Sequence, residues 1–461
     1  MANQGKRRWW CAAALVGVVA ACTAPVAAHK AGPADVVDVQ PEIAADVAVA
    51  ADAVTTVDAS ADAALADSGS DADATGQGAK DAAAPIVLIA DLPECVSCTW
   101  KPLPEMSKPR YRFNGAWLAG QFYVWGGITG IQGTPADVEA SAERYDPQTN
   151  TWTMLPPSML APGGDNARLA TDGKRLYVYR GTGPVPAAAF DPQTATWTAL
   201  PAEGSPGIRD TPFVAWTGAN LLVWGGVVPT PALPGATYDP AADVWLPIPD
   251  APAKQDVAAC SAWTGSQVLI AGLKSAPKLG LRYTPAAQLW QTFTAEPPLM
   301  PGYVPAPFDA PFAWHGCVAA ADGFFAVGQN FSGEMYGPAS RLVHFDADKL
   351  NYTDLVMPVI AKDQGLQPIS MHLIGEWLLV VLIPVEETWA GVAYHITDGT
   401  WWRLPHPKFG TSRGEYASAV GDGRLYIAGG SGAIAEPLQQ GLVWKDGYVL
   451  DGPWTTSAGK P

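Results

Sequence analysis

No run of basic residues longer than Lys6-Arg7-Arg8 occurs in these 461 residues, and charged side chains make up only 16% of them, with a net charge of −16. An average chain carries about 25%. The basic footprint that nucleic-acid binding requires is missing, so no nucleic-acid partner is expected. Long apolar runs are missing too. Residues 11–21 are too few to span a bilayer, and the run 378–385 is broken by Pro384 and reads as a strand. Stretches free of turn formers are scarce: the 47 Gly and 43 Pro are about 20% of the chain, against roughly 12% on average. Helix interiors do not tolerate them at this density, which argues against a helical protein. What is abundant is tryptophan, 19 residues, set in short apolar stretches. The length admits two or three average domains, yet all-β units of more than 200 residues fold as one.

Charge divides the chain into three segments. Residues 1–30 carry +4, residues 31–91 carry −11 and the remainder carries −9. Lys6, Arg7 and Arg8 precede an apolar stretch, the pattern of a secretory signal. Val19-Ala20-Ala21-Cys22 resembles the lipobox of bacterial lipoproteins. That resemblance implies cleavage after residue 21 and acylation of Cys22; the other reading is an ordinary signal peptide cut nearby. Thr23 at the next position implies, by the same resemblance, an outer-membrane lipoprotein, periplasmic or surface-exposed. Residues 23–90 are Ala/Asp/Val-rich with no aromatic residue. Such a segment cannot bury enough surface to offset the ordering of its backbone, and like charges extend it. A disordered tether is expected over 22–91, with Ile86-Val87-Leu88-Ile89 able to dock on the domain at 92–461.

From residue 95 the chain repeats itself. An aromatic residue is followed by another seven positions later in Tyr145/Trp152, Phe190/Trp197, Tyr238/Trp245, Tyr283/Trp290, Phe345/Tyr352 and Tyr394/Trp401. Between the members lies a turn such as Asp146-Pro147-Gln148-Thr149-Asn150, whose chemistry joins two short strands. Upstream of several pairs an apolar strand ends in Gly-Gly, at Gly126-Gly127, Gly225-Gly226 and Gly429-Gly430. A further short strand precedes each. Four strands per unit of 40–50 residues, seven times over, is the signature of propeller blades. The double glycine, the Tyr-Asp-Pro turn and the Trp seven residues after the Tyr resemble kelch repeats over about 95–452, with blades 5 and 6 departing from the pattern. The fold expected is an all-β, seven-bladed kelch-type β-propeller. In the last unit Leu442-Val443-Trp444 is read as the third strand. Thr99-Trp100-Lys101-Pro102-Leu103-Pro104 repeats the fourth-strand pattern of Thr151-Trp152 and Thr196-Trp197, so an N-terminal strand closes the ring. A competing assignment makes 448–450 the fourth strand.

Because strands alternate in direction, the loops between strands 2 and 3 share one face with the loops between blades. The long ones are 128–142, 291–311, 329–341 and 356–368, which marks that face for binding. Innermost strands begin there around the channel. Their candidate residues are Arg110, Arg112, Asn166, Arg209, Asp210 and Trp314, then His315, His372, Arg413, Glu415 and Tyr416. Arg, His and aromatics at a funnel can hold a sugar or a peptide, or equally can bond the blades to one another. Galactose oxidase, a kelch-type copper enzyme, has a Tyr-His dipeptide where this chain has Trp314-His315, so no metal or cofactor is expected. Cys95-Val96-Ser97-Cys98 has redox-motif spacing without a surrounding βαβ pattern; in an oxidising compartment it reads instead as a disulfide at the closing strand. Cys260 and Cys317 differ by one position when aligned on their neighbours, which leaves their pairing open. The function expected is a membrane-tethered, non-catalytic module that recognises a protein or glycan. The alternative is an isomerase- or oxidase-type enzyme acting on a sugar at the funnel.

Overall fold

The computed structural model describes residues 87–130, 137–164, 167–227, 234–297, 313–329, 340–355, 357–358, 368–382, 389–406, 413–432 and 442–454. The expected signal segment, Cys22 and residues 22–86 of the expected tether lie outside the described residues, as do most of the long loops. Seven four-stranded antiparallel sheets make up the domain. Blades 1 to 6 each take four consecutive strands, from Asn114–Leu118 as the innermost of blade 1 to Thr400–Pro405 as the outermost of blade 6. Blade 7 takes Ala417–Gly421, Arg424–Ala428 and Gly447–Asp451, and its outermost strand is Thr99–Leu103. The chain is a seven-bladed β-propeller whose ring is closed by an N-terminal strand.

The repeat follows from a few contacts made again and again. In four blades the Asp after the third-strand aromatic accepts a bond from the backbone N–H two residues on, as Asp146 does from Gln148 at 2.8 Å. The residue before the fourth strand then turns left-handed, φ 53° at Asn150 and 54° at Ala195. The aromatic pair packs across the two strands with its rings tilted, centroids 5.5 Å apart for Tyr145 and Trp152. The fourth-strand Trp also reaches its neighbour: its indole N–H donates to the carbonyl of a Pro in the preceding blade. Trp152 bonds Pro104, Trp197 bonds Pro156, Trp245 bonds Pro201 and Trp290 bonds Pro249, each at 2.9 Å. Trp100 bonds Pro405 at 3.0 Å. The N-terminal strand therefore gives and receives this contact as any other fourth strand does. The core lies between the blades, where apolar strands such as Leu221–Trp224 and Trp377–Leu382 are buried throughout.

The third strand of blade 7 is not where the sequence placed it. Residues 442–443 pair with 431–432 in a separate two-stranded ribbon, and Gly447–Asp451 fills the place. Leu450 faces Trp100 as Tyr145 faces Trp152, so a leucine replaces the aromatic that marks this position elsewhere. Ahead of the closing strand, Ile89 and Leu92 are buried against blades 5 and 6. Backbone bonds join Pro93 and Cys95 to Arg403 of the outermost strand of blade 6, at 2.8 and 2.9 Å.

Both cysteine pairs are disulfides. Cys95–Cys98 is buried between blades 6 and 7, and Cys260–Cys317 links the innermost strands of blades 4 and 5. The one-position offset between Cys260 and Cys317 is absorbed by a β-bulge between Trp314 and Gly316, which shifts the register of the blade 5 strand ahead of Cys317.

Candidate functional site

Three of the arginines at the inner-strand starts share one construction. Arg110, Arg209 and Arg413 stand sixteen residues before the first glycine of a Gly-Gly pair and donate to its carbonyl, at 3.0, 2.9 and 3.3 Å. Those glycines turn left-handed, and a Cβ on Gly226 would meet the Asp210 carbonyl at 2.4 Å. All three guanidiniums are buried in the propeller wall. Arg110 forms a fully buried ion pair with Glu143 at 2.8 Å. Arg209 also donates to Gln255 at 2.5 Å and to the Pro234 carbonyl at 2.9 Å. Arg413 pairs with Asp446 at 2.6 Å and lies over the Trp444 ring, 4.6 Å from its centroid. Desolvation lowers the pKa of Arg209 and of Arg413 from the usual arginine value. These side chains tie strand ends and loops together. Two residues further on, Arg112, Thr211 and Glu415 are each left-handed, φ 54°, 52° and 55°.

A second tier of contacts lies at the same strand starts. The Arg112 Nε donates to Glu415 at 2.7 Å, joining blade 1 to blade 7, and the Ser431 hydroxyl donates to the same carboxylate at 2.7 Å. Between blades 6 and 7, Ser370 Oγ lies 2.6 Å from the Tyr416 hydroxyl and 2.9 Å from His372 Nε2. A bulge between Pro368 and Ser370 sets this register. Desolvation lowers the His372 pKa to about 4 and raises that of Tyr416 above the ordinary phenol. In blade 3 Asp210 is exposed, and its backbone pairs with that of Val227, itself 54% exposed. Trp314 and His315 sit in the inner strand of blade 5; their side chains, and the whole of Asn166, lie outside the described residues. The candidates thus gather mainly at blades 6, 7 and 1, with Arg209 and Asp210 apart in blade 3. Among the described residues no cluster of His, Cys, Asp and Glu is arranged to hold a metal ion.

One feature of the mouth has no counterpart among the candidates read from sequence. A half-open cavity of about 240 Å³ lies where blades 2, 3 and 4 begin, lined by Arg168, Thr211, Phe213, Asp256 and Ser261 and floored by Gly225-Gly226. Thr211 follows Arg209 by the interval that separates Glu415 from Arg413, so the arginine-to-glycine spacing was the signal that leads there.

The fold and this mouth define a β-propeller with a rigid, polar rim. A model of the kelch motif matches residues 109–159. Over 56 residues the chain is 45% identical to an F-box/kelch-repeat protein of Arabidopsis thaliana, covering 12% of this chain and 16% of that one. Over 85 residues it is 35% identical to Kelch-like protein 35 of Mus musculus, covering 18% of this chain and 14% of that one. The matched segments thus span less than a fifth of either relative. A solved structure titled "YCF48 bound to D1 peptide" has a TM-score of 0.48 at 10% identity, covering 78% of this chain and 97% of that one, a likeness that carries no functional argument. The chain is a seven-bladed β-propeller that carries a kelch motif.

Proposed function

We propose that this protein is a bacterial lipoprotein whose propeller, held off a membrane by its acidic N-terminal segment, binds a protein or glycan through the long-loop face. The observation that carries the binding reading is the two-tier mouth. Buried arginines fix the strand ends, and the groups above them, Arg112, Glu415 and Tyr416 among them, are presented on rigid backbone. Kelch propellers are typically interaction modules, which agrees with this. The Tyr416–Ser370–His372 chain is what a sugar-active enzyme would rest on, but an imidazole whose pKa is about 4 is a weak base at neutral pH. Two disulfides suit an oxidising compartment and so support export.

The test is to screen the full chain against peptide and glycan arrays beside Arg112→Ala and Tyr416→Phe. Binding that weakens in these variants at unchanged melting temperature supports the mouth. Turnover of a sugar with no retained ligand would replace this reading with the enzyme. Membrane attachment is read separately: Cys22→Ala should move the protein to the soluble fraction and abolish labelling by a fatty-acid analogue. Continued membrane fractionation of that variant would defeat the lipoprotein reading.

A further inference from the structure

We propose that a cavity between blades 5 and 6, on the face of tight turns opposite the long loops, binds a small aromatic amine: one ring system with a short ammonium arm. This site is separate from the mouth and does not rest on the binding reading above. The half-open space is about 330 Å³, at the small end of the roughly 300–1,000 Å³ of ligand pockets. Its walls are largely apolar, made by Phe325, Leu355, Leu373, Tyr394 and Ile396.

The repeat explains why a space is open there, and gives it a shape. In blades 1 and 3 the inner strand carries a Trp as the last residue but one before its tight turn. Trp117 pairs in register with Phe122 and Trp216 with Leu221. Each indole lies against an aromatic ring in the second strand of the preceding blade. Trp117 stacks on Tyr426 with centroids 4.9 Å apart, and Trp216 on Tyr177 at 5.6 Å. The same position in blade 6 is Leu373, paired with Leu378, and the aromatic that the preceding blade presents is Phe325. Both line the cavity. The stack that those two seams complete with their own tryptophan is left half-built here, and a flat aromatic ring is the group that completes it.

The rim supplies the charge. Asp322 lies in the turn between the first two strands of blade 5 and also lines the cavity, its carbonyl accepting from the Ala347 N–H at 2.8 Å. Its carboxylate is 3.1 Å from His344 Nε2, yet the side chain stays 58% exposed, open to a ligand that enters from solvent. The His344 ring in turn stacks on Phe325 with centroids 4.6 Å apart, so the ring slot and the carboxylate are neighbours. Lys349, which feels the Asp322 charge, is itself bonded to Asp346 at 2.5 Å. A carboxylate beside an apolar slot favours an ammonium and repels an acid, and the domain's net charge of −9 over 92–461 acts in the same direction.

Calorimetric titration of the full chain with tryptamine and phenethylamine tests this. Indole-3-propionate keeps the ring and reverses the charge; propylamine keeps the charge and lacks the ring. At least one aromatic amine should bind saturably at one site, and each comparator at least tenfold more weakly. Leu373→Trp, which places in blade 6 the tryptophan of blades 1 and 3, should abolish binding. Asp322→Asn should weaken it at least tenfold at unchanged melting temperature, and it keeps the test open if the tryptophan variant does not fold. Binding that survives both substitutions, or that is as tight for the acid, overturns the site. So does a wild-type chain that binds no amine while Ile86→Gln does, the result expected if the residues just ahead of Val87, which packs on the same cluster, fill the cavity themselves.

Discussion

Removing the Arg110 guanidinium would leave Glu143 charged, fully buried and without its cation, its carboxylate still accepting from the Ser107 N–H and hydroxyl. Breaking a buried pair from one side costs about 3–5 kcal/mol. Chemical denaturation should show Arg110→Ala destabilised by that amount, and the double variant with Glu143→Leu recovering a good part of it. Equal losses for the single and the double variant would mean that the pair is not coupled. His372 makes a pH prediction. Its pKa in the fold is about 4 against an ordinary 6.5, so between those values the unfolded chain takes a proton that the folded chain does not. Stability therefore falls as pH drops from 6.5 toward 4, by about 2–3 kcal/mol for a partly exposed ring. His372→Gln should flatten the melting curve between pH 6.5 and 4.5, above the range in which carboxylates titrate. A variant curve parallel to the wild type would refute the assignment.

At the scale of the strand and the crosslink, the two disulfides should differ in worth. Cys260–Cys317 spans 57 residues and Cys95–Cys98 spans 3. In the chain-entropy account these amount to about 4 and about 1–2 kcal/mol. Denaturant midpoints of the paired serine variants should rank that way; the reverse order would mean that the Cys95–Cys98 turn governs ring closure. Deleting 92–104 should cost more than either, because it exposes the edge of Gly447–Asp451 and removes the Trp100–Pro405 and Trp152–Pro104 bonds. Most of the blade was legible because each repeated residue has a local job: Asp caps a turn, Trp reaches a Pro carbonyl, Gly admits a left-handed backbone. The third strand of blade 7 was not, because Leu450 carries no such mark and its partner strand lies at the other end of the chain. The Cys260–Cys317 pairing was hidden by a bulge that no residue type announces. At the mouth, the sequence placed Arg112, Glu415 and Tyr416 at the rim. It could not distinguish an arginine that pairs with a neighbouring blade's carboxylate, as Arg112 does, from those folded inward onto glycine carbonyls, since both occupy the same strand start.

At the scale of the whole molecule, a compact ring follows an N-terminal segment of very different composition. Residues 23–86 contain no aromatic side chain. Light proteolysis that trims them should leave the melting temperature of the remainder within a degree or two, and a large drop would mean that they contribute to the core. The way the chain enters the ring also has a mechanical meaning. A pull applied to the described chain at residue 87 is not delivered at once to the closing strand. It arrives first at Ile89 and Leu92, wedged against blades 5 and 6, then at the backbone bonds to Arg403, then at the Cys95–Cys98 link. Only beyond these does it load the five residue pairs between Thr99–Leu103 and Gly447–Asp451. Tension applied from the N-terminal side would be spread over two blades before it could peel one open, so the seam that closes the ring is also its strain relief.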